Sequence, residues 1–193
     1  AGTTKKMTLV MEGKTDDPST LATFPDVAMQ AGDLVVLHLN PVDANDPKAS
    51  ERQSKSESTA SEAYPNAWDF VGGSEHVVFS NRLLKLVAAD GTVLHVVPFV
   101  KSDAVAPLPG GYEPAVQIAQ DEGQWLPADC DGVDCTYTSS PSVLDVSVDW
   151  KGLAEEGGNA KTASMSRVAG PDTDTKADWV LKLTGASFGS PNP

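Results

Sequence analysis

Two runs of strand-forming residues flank the pair Asp90-Gly91, and this arrangement constrains the fold more than any other stretch of the chain. The runs are 83–88 and 92–99, both rich in Leu and Val. A tight hairpin needs turn residues with positive φ, which Asp-Gly adopts readily. The pattern therefore predicts a β-hairpin, and Pro98 predicts that its second strand reaches a sheet edge or bends there.

The C-terminal part of the chain predicts a second hairpin. Residues 161–167 alternate, residues 168–175 are rich in Asp, Thr, Pro and Gly, and residues 177–180 are an apolar run with a Trp. Strand, turn and strand have this signature. No nucleophile accompanied by a base is recognisable there, so the stretch predicts architecture rather than catalysis.

Four shorter stretches also have strand character, at 7–11, 19–24, 34–39 and 142–150. The third is continuous, rich in Val and Leu and bounded by turn residues, so it predicts a buried central strand. Short strands separated by turns indicate an all-β fold.

One helix and one long loop complete the predicted elements. Residues 113–124 read as a short helix that begins at Pro114 and is stopped by Gly123. Residues 40–63 contain almost no large apolar side chain and cannot bury enough surface to offset the entropy of ordering. They predict a polar surface loop, either functional or disordered.

The charge balance excludes several partners. The 193 residues include 14 Lys and Arg against 27 Asp and Glu, a formal net charge of -13, without a basic cluster. Nucleic acids and anionic membranes are bound largely through Lys and Arg, so neither is expected. No apolar run is long enough to insert directly into a bilayer. The length and the 40% hydrophobic content fit one domain spanning 1–193.

Two cysteines, Cys130 and Cys135, enclose an Asp-Gly pair. The spacing suits a small disulfide loop, and two free thiols are the alternative. A disulfide implies an oxidising compartment, which favours the cell envelope or the extracellular space. No cleavable signal peptide begins the chain, which is compatible with the mature part of an exported protein.

Five stretches, in the same order along the chain, resemble the lamin tail domain family in its bacterial, exported form. They are Phe24–Leu37, Leu83–Val97, Ser164–Arg167, Asp172–Val180 and Ser187–Asn192. The resemblance implies an immunoglobulin-like β-sandwich with long surface loops and one short helix. Because members of that family are mostly non-catalytic, it also implies binding or scaffolding and transfers no catalytic residues.

The chain departs from the family in two respects. Family members open with a strand ahead of the one predicted at 7–11, and this chain shows no such pattern. The loop at 40–63 and an insert at 101–158 also exceed the family minimum, so a specific function could lie in either.

Two groups of aspartates offer the hard oxygen ligands that Ca²⁺ prefers. Neither forms a complete calcium loop, and aspartates in turns often cap backbone N–H groups instead. Calcium is therefore the one cofactor that the sequence allows without requiring. The candidate ligands are Asp129, Asp131 and Asp134 beside the cysteines, and Asp172, Asp174 and Asp178 near the C-terminus.

The histidines and tryptophans are weaker candidates. His38, His76 and His95 would need to converge with a carboxylate to bind a metal, and histidines on strands are more often ordinary cross-strand residues. Trp68 and Trp125 adjoin predicted loops and could stack on a carbohydrate, although packing is the favoured reading. Trp179 is expected in the core.

These patterns predict a non-catalytic module of the cell envelope or extracellular space that mediates protein interaction or adhesion, with a protein or a cell-surface glycan as partner. A lipoprotein anchor would fit that location. The alternatives are a carbohydrate-binding module that uses exposed tryptophans and an accessory domain of a secreted hydrolase. The chain lacks a phosphate-binding glycine loop, and we expect no enzymatic activity.

Overall fold

Strands make up most of the regular structure, as the sequence predicts. The structure, a computed structural model, describes residues 2–4, 6–13, 18–39, 67–71, 77, 81–100, 110–126, 146–149 and 164–182. The elements in these ranges are β1 (Gly2–Thr3), β2 (Thr8–Glu12), β3 (Ser19–Thr23), β4 (Ala28–Met29), β5 (Leu34–His38), β6 (Ala67–Val71), β7 (Arg82–Val87), β8 (Val93–Val100), α1 (Tyr112–Asp121), β9 (Val148–Asp149), β10 (Ser164–Arg167), a 3₁₀ helix (Lys176–Asp178) and β11 (Trp179–Lys182).

The Asp-Gly turn joins β7 to β8, which confirms the predicted hairpin. The N–H of Ala88 donates to the carbonyl of Thr92 at 2.8 Å, and the N–H of Thr92 donates to the Asp90 carboxylate at 2.9 Å. Gly91 has φ of 90°, a value that side chains disfavour. The turn chemistry therefore fixes where the two strands begin to pair.

This hairpin is the centre of a five-stranded sheet with the order β3-β2-β7-β8-β9. Neighbouring strands are antiparallel except β9, which runs parallel to the end of β8. Directly opposed residues of antiparallel strands share a face, so the pairs Leu86–His95 and Leu84–Val97 place these four side chains on one face.

The helix and the segments that flank it complete one hydrophobic core with β7 and β8. Helix α1 buries Tyr112, Val116 and Ala119 in that core, together with Leu83 and Val96. The predicted helix is confirmed: it starts two residues before Pro114 and ends two residues before Gly123. Its last turn is followed by Gly123, which has positive φ of 68°.

The predicted insert at 101–158 is integral to this core in the parts that the structure describes. Trp125 and Val146 are buried, and the indole N–H of Trp125 donates to the Val146 carbonyl at 2.8 Å. The expected strand at 142–150 is only two residues long where it is described, at Val148–Asp149.

The second predicted hairpin also forms. Strands β10 and β11 pair antiparallel, with Met165 opposite Leu181 and Arg167 opposite Trp179. Met165, Leu181 and Trp179 pack as half-buried side chains against the core. Trp179 is thus a packing residue, as expected.

The expectation of a buried central strand at 34–39 is wrong. Strand β5 pairs only with β6, in a two-stranded parallel sheet, within the described ranges. Of the β5 side chains that are described, only Val36 is buried. A continuous run of apolar residues is consistent with a buried central strand but does not establish one, so the pattern did not settle the position.

The all-β class is confirmed, with sheets and one α-helix in the described part of the chain. The immunoglobulin-like topology stays a prediction. The loop at 40–63 lies wholly outside the described residues. A strand does precede β2, although the sequence shows no such pattern: the two-residue β1 pairs antiparallel with β4. Across the ranges that the structure covers, no helix has the length and apolar character needed to cross a membrane.

We expect Leu83→Ala to lower the free energy of unfolding by about 2–5 kcal/mol, because this side chain is fully buried in the core and its removal leaves a cavity. Leu94→Ala is the control, since Leu94 is 51% exposed on the neighbouring strand and its loss should cost about 0.5 kcal/mol or less. Urea unfolding monitored by circular dichroism measures both. Equal losses would show that the core is placed incorrectly.

Candidate functional site

The turn between β10 and β11 is organised by Asp178. Its carboxylate accepts hydrogen bonds from the N–H and the hydroxyl of Thr173, at 2.9 and 2.7 Å, and from the N–H of Thr175 at 3.4 Å. Thr175 in turn caps the 3₁₀ helix by accepting from the N–H of Ala177 at 3.2 Å. This is a capping box, which satisfies backbone donors at a helix start reciprocally.

Asp178 therefore acts as a structural cap, the alternative role that the sequence left open for aspartates in turns. Burial of its side chain works to raise its pKa, but the hydrogen bonds from Thr173 and Thr175 outweigh burial and lower the pKa below its ordinary value. A carboxylate held by three donors of the protein has little left to offer a cation.

Asp172 and Asp174, in contrast, direct carboxylate oxygens towards His95 of β8. One potential ligand atom from each of the three residues lies within 4.8 Å of the other two. Within this cluster, His95 Nδ1 lies 3.8 Å from Asp172 Oδ2. The site thus combines residues that are about 80 positions apart in the sequence but adjacent in the fold.

His95 is held in place by aromatic stacking. Its ring stacks on the indole of Trp179, with centroids 6.2 Å apart and an angle of 28° between the planes. Because Trp179 packs against the core, the imidazole has limited freedom to turn away from the aspartates.

Arg167 supplies a positive charge beside the site. Its guanidinium lies 3.4 Å from Asp172 Oδ2 and also donates to the carbonyl of Gly170 at 3.4 Å. This contact holds the Asp172 carboxylate in position and offsets part of its charge. With neutral His95, the two aspartates and Arg167 leave a net negative charge.

Asp174 is the least compensated member of the cluster. Its carboxylate makes no hydrogen bond or ion pair with any described residue, whereas its backbone is anchored by a bond from the Leu126 N–H to its carbonyl at 2.7 Å. Burial and then the negative charge of Asp172 raise its pKa, while His95 and Arg167 act in the opposite direction. A bound cation would relieve this unfavourable environment of the charged form.

The arrangement has the chemistry of a small cation site. An imidazole nitrogen and two carboxylates are metal-ligating groups, and here they come from a rigid strand and a hydrogen-bonded turn. Asp172 and Asp174 were candidate ligands from the sequence, and the structure brings them together with His95 in place of Asp178.

His95 is the member that the sequence reading undervalued. The other described side chains on its face of β8, at positions 97 and 99, are Val and Phe. A single polar residue within an apolar stripe was the available signal, but which residues would face it depended on how the C-terminal hairpin packs.

The remaining candidates of this kind lie outside the described residues or have no described side chain. These are Cys130 and Cys135 with their predicted disulfide, the aspartates Asp129, Asp131 and Asp134, His76, and the side chain of His38. Each of these predictions stays a prediction.

The favoured packing role of Trp125 is confirmed, and its alternative role of stacking on a carbohydrate is wrong. Its side chain is fully buried and its indole N–H is used in the core, so it cannot meet a carbohydrate ring. Trp125 lies four residues after the end of the helix, and its backbone N–H donates to the carbonyl of Ala119 in the helix at 3.2 Å. Trp68 is half-buried, and its indole N–H donates to Asp33 at 3.4 Å. The pair of exposed indoles that carbohydrate stacking would use is therefore not formed.

Comparison with known proteins gives one match. A protein family described as “protein second domain” matches residues 1–181. No curated protein and no solved structure matches the chain. The family description does not bear on the resemblance to lamin tail domains, which stays a prediction.

We expect Asp178→Asn to lower the free energy of unfolding by about 2 kcal/mol near neutral pH, because the charged acceptor of the turn is lost. The pKa of Asp178 is lowered in the folded state, so its contribution is complete above the ordinary value of 3.8 and is lost as the pH falls through the folded value. Urea unfolding at about pH 7 and about pH 2 measures this dependence.

The exposed Asp121, on the helix, provides the matched control. Asp121→Asn removes the same charge from a side chain with a single partner, Gln117, and should change stability by about 0.5 kcal/mol or less. A loss for Asp178→Asn that is as large at about pH 2 as at about pH 7 would contradict the capping role of the charged carboxylate.

Proposed function

The chain belongs to the protein second domain family, and on that premise we propose that it is a non-catalytic binding domain whose ligand is a divalent cation held by His95, Asp172 and Asp174. The family description supports a place beside other domains within a larger protein. The convergence of three metal-ligating atoms within 4.8 Å is the observation that carries the proposal.

The charge of the molecule supports this ligand class. The chain has a formal net charge of -13, which attracts cations to its surface over a Debye length of about 8–10 Å. Within the cluster, Asp174 has no cationic partner in hydrogen-bonding contact among the described residues. A divalent ion would therefore stabilise a carboxylate that the fold leaves uncompensated.

Binding would also join two parts of the fold. His95 belongs to the five-stranded sheet, whereas Asp172 and Asp174 belong to the turn of the β10–β11 hairpin. An ion bound by all three residues would cross-link this hairpin to β8. The proposed cation thus supports a structural or adhesive role better than a catalytic one, in a domain that we propose to lie in the cell envelope or outside the cell.

Hydroxyl groups elsewhere in the described structure support the non-catalytic proposal. Tyr112 and Ser147 share a hydrogen bond of 2.6 Å, and both are buried in the core. Burial raises the pKa of Tyr112 far above its ordinary value, although the bond to Ser147 acts against the shift. A buried and protonated phenol serves packing better than proton transfer.

We expect a saturating divalent cation to raise the melting temperature of the chain relative to a sample in EDTA. A ligand at about 100 times its dissociation constant stabilises the native state by about 2.7 kcal/mol, which corresponds to roughly 5–10 °C for a domain of this size. Differential scanning calorimetry with calcium, manganese or zinc chloride measures the shift.

The double variant Asp172→Asn, Asp174→Asn should lose the shift, because amides replace both carboxylates at the site. Asp121→Asn should retain it, since Asp121 is outside the cluster. The proposal is wrong if wild-type protein melts at the same temperature in EDTA and in every cation, or if the double variant keeps the full shift.

A further inference from the structure

The mixture of donor atoms at the site determines which cation it should prefer. Calcium and magnesium are bound through oxygen, whereas imidazole nitrogen suits zinc and neighbouring transition metals. Resting on the proposed function, we infer that the site selects a transition-metal ion such as zinc over calcium, with His95, Asp172 and Asp174 as its protein ligands.

The number of ligands leads to the same preference. Calcium takes 6–8 oxygen ligands as a rule, and two aspartates supply four carboxylate oxygens at most. Asp178, the nearest further carboxylate in the turn, already accepts three hydrogen bonds from Thr173 and Thr175. Zinc also binds at sites with three protein ligands and a fourth position filled by water, so the described cluster has enough protein ligands for zinc.

The distances allow an ion of this size. Ligands at about 2.0–2.2 Å from a tetrahedral ion lie about 3.4 Å from one another. His95 Nδ1 and Asp172 Oδ2 are 3.8 Å apart, so a movement of a few tenths of an ångström would bring both into range. The Asp174 carboxylate oxygen lies within 4.8 Å of both other ligand atoms, and a rotation of its side chain would bring it to the ion.

Neighbouring groups hold two of the ligands beforehand. Trp179 stacks on the imidazole of His95, and Arg167 contacts Asp172 Oδ2 at 3.4 Å. The N–H of Asp174 donates to the other Asp172 oxygen at 3.3 Å. Partners of this kind orient the residues that ligate a metal and strengthen its binding. The positive charge of Arg167 acts against this, because it repels a bound cation.

Isothermal titration calorimetry of the whole chain with zinc chloride and with calcium chloride tests this inference. Wild-type protein should bind zinc at least about tenfold more tightly than calcium. His95→Gln exchanges the imidazole for an amide whose oxygen calcium accepts. It should weaken zinc binding by at least about tenfold and change calcium affinity by less than about threefold.

Two further variants control for folding and for other zinc ligands. Asp174→Asn changes the turn and should weaken zinc binding without altering β8. If far-UV circular dichroism shows that His95→Gln is unfolded, His95→Asn takes its place. Cys130 and Cys135 stay unchanged in every variant. Zinc binding that keeps wild-type affinity in the site variants would therefore be held elsewhere, for example by these thiols, and would overturn the inference.

The outcomes separate the two proposals. Calcium binding as tight as zinc binding, lost in Asp174→Asn, overturns the preference for a transition metal and leaves the cation-binding function in place. Titrations in which neither ion binds overturn both. Zinc binding that depends on His95 and Asp174, with weak calcium binding, supports both.

Discussion

Strand β8 is the constraint on which the rest of the structure depends. It pairs with β7 along its length and with β9 at its end, and its residues from Val96 to Val100 are all buried. The residues before them are half-buried or exposed, so the strand runs from the surface into the core. His95 lies at this boundary, where its backbone is fixed by the sheet and its side chain can reach a ligand.

The turn of the C-terminal hairpin divides its aspartates between two tasks. Asp178 directs its carboxylate inwards to the N–H groups of the turn, which lowers its pKa. That bonding fixes the path of the chain on which Asp172 and Asp174 lie. The pKa of Asp174 is raised by burial and then by the neighbouring carboxylate of Asp172. Asp178 therefore stabilises the turn, whereas Asp172 and Asp174 are the aspartates that can bind a ligand.

Local patterns predicted both hairpins and the helix, since turn chemistry and periodicity act within a few residues. The position of β5 was missed because it depends on which elements pack together. For the same reason, the aspartates of the site were predicted as ligands but the histidine was not. Asp172 and Asp174 are two positions apart in the sequence, whereas His95 joins them only through the packing of Trp179 against the sheet.

Anomalous diffraction at the zinc absorption edge, from crystals of the chain grown with zinc, tests the central claim most directly. The account predicts one strong peak bonded to the imidazole of His95 and to carboxylate oxygens of Asp172 and Asp174, at about 2.0–2.2 Å. Zinc bound only at other residues, with these three side chains arranged as in the metal-free protein, would contradict it.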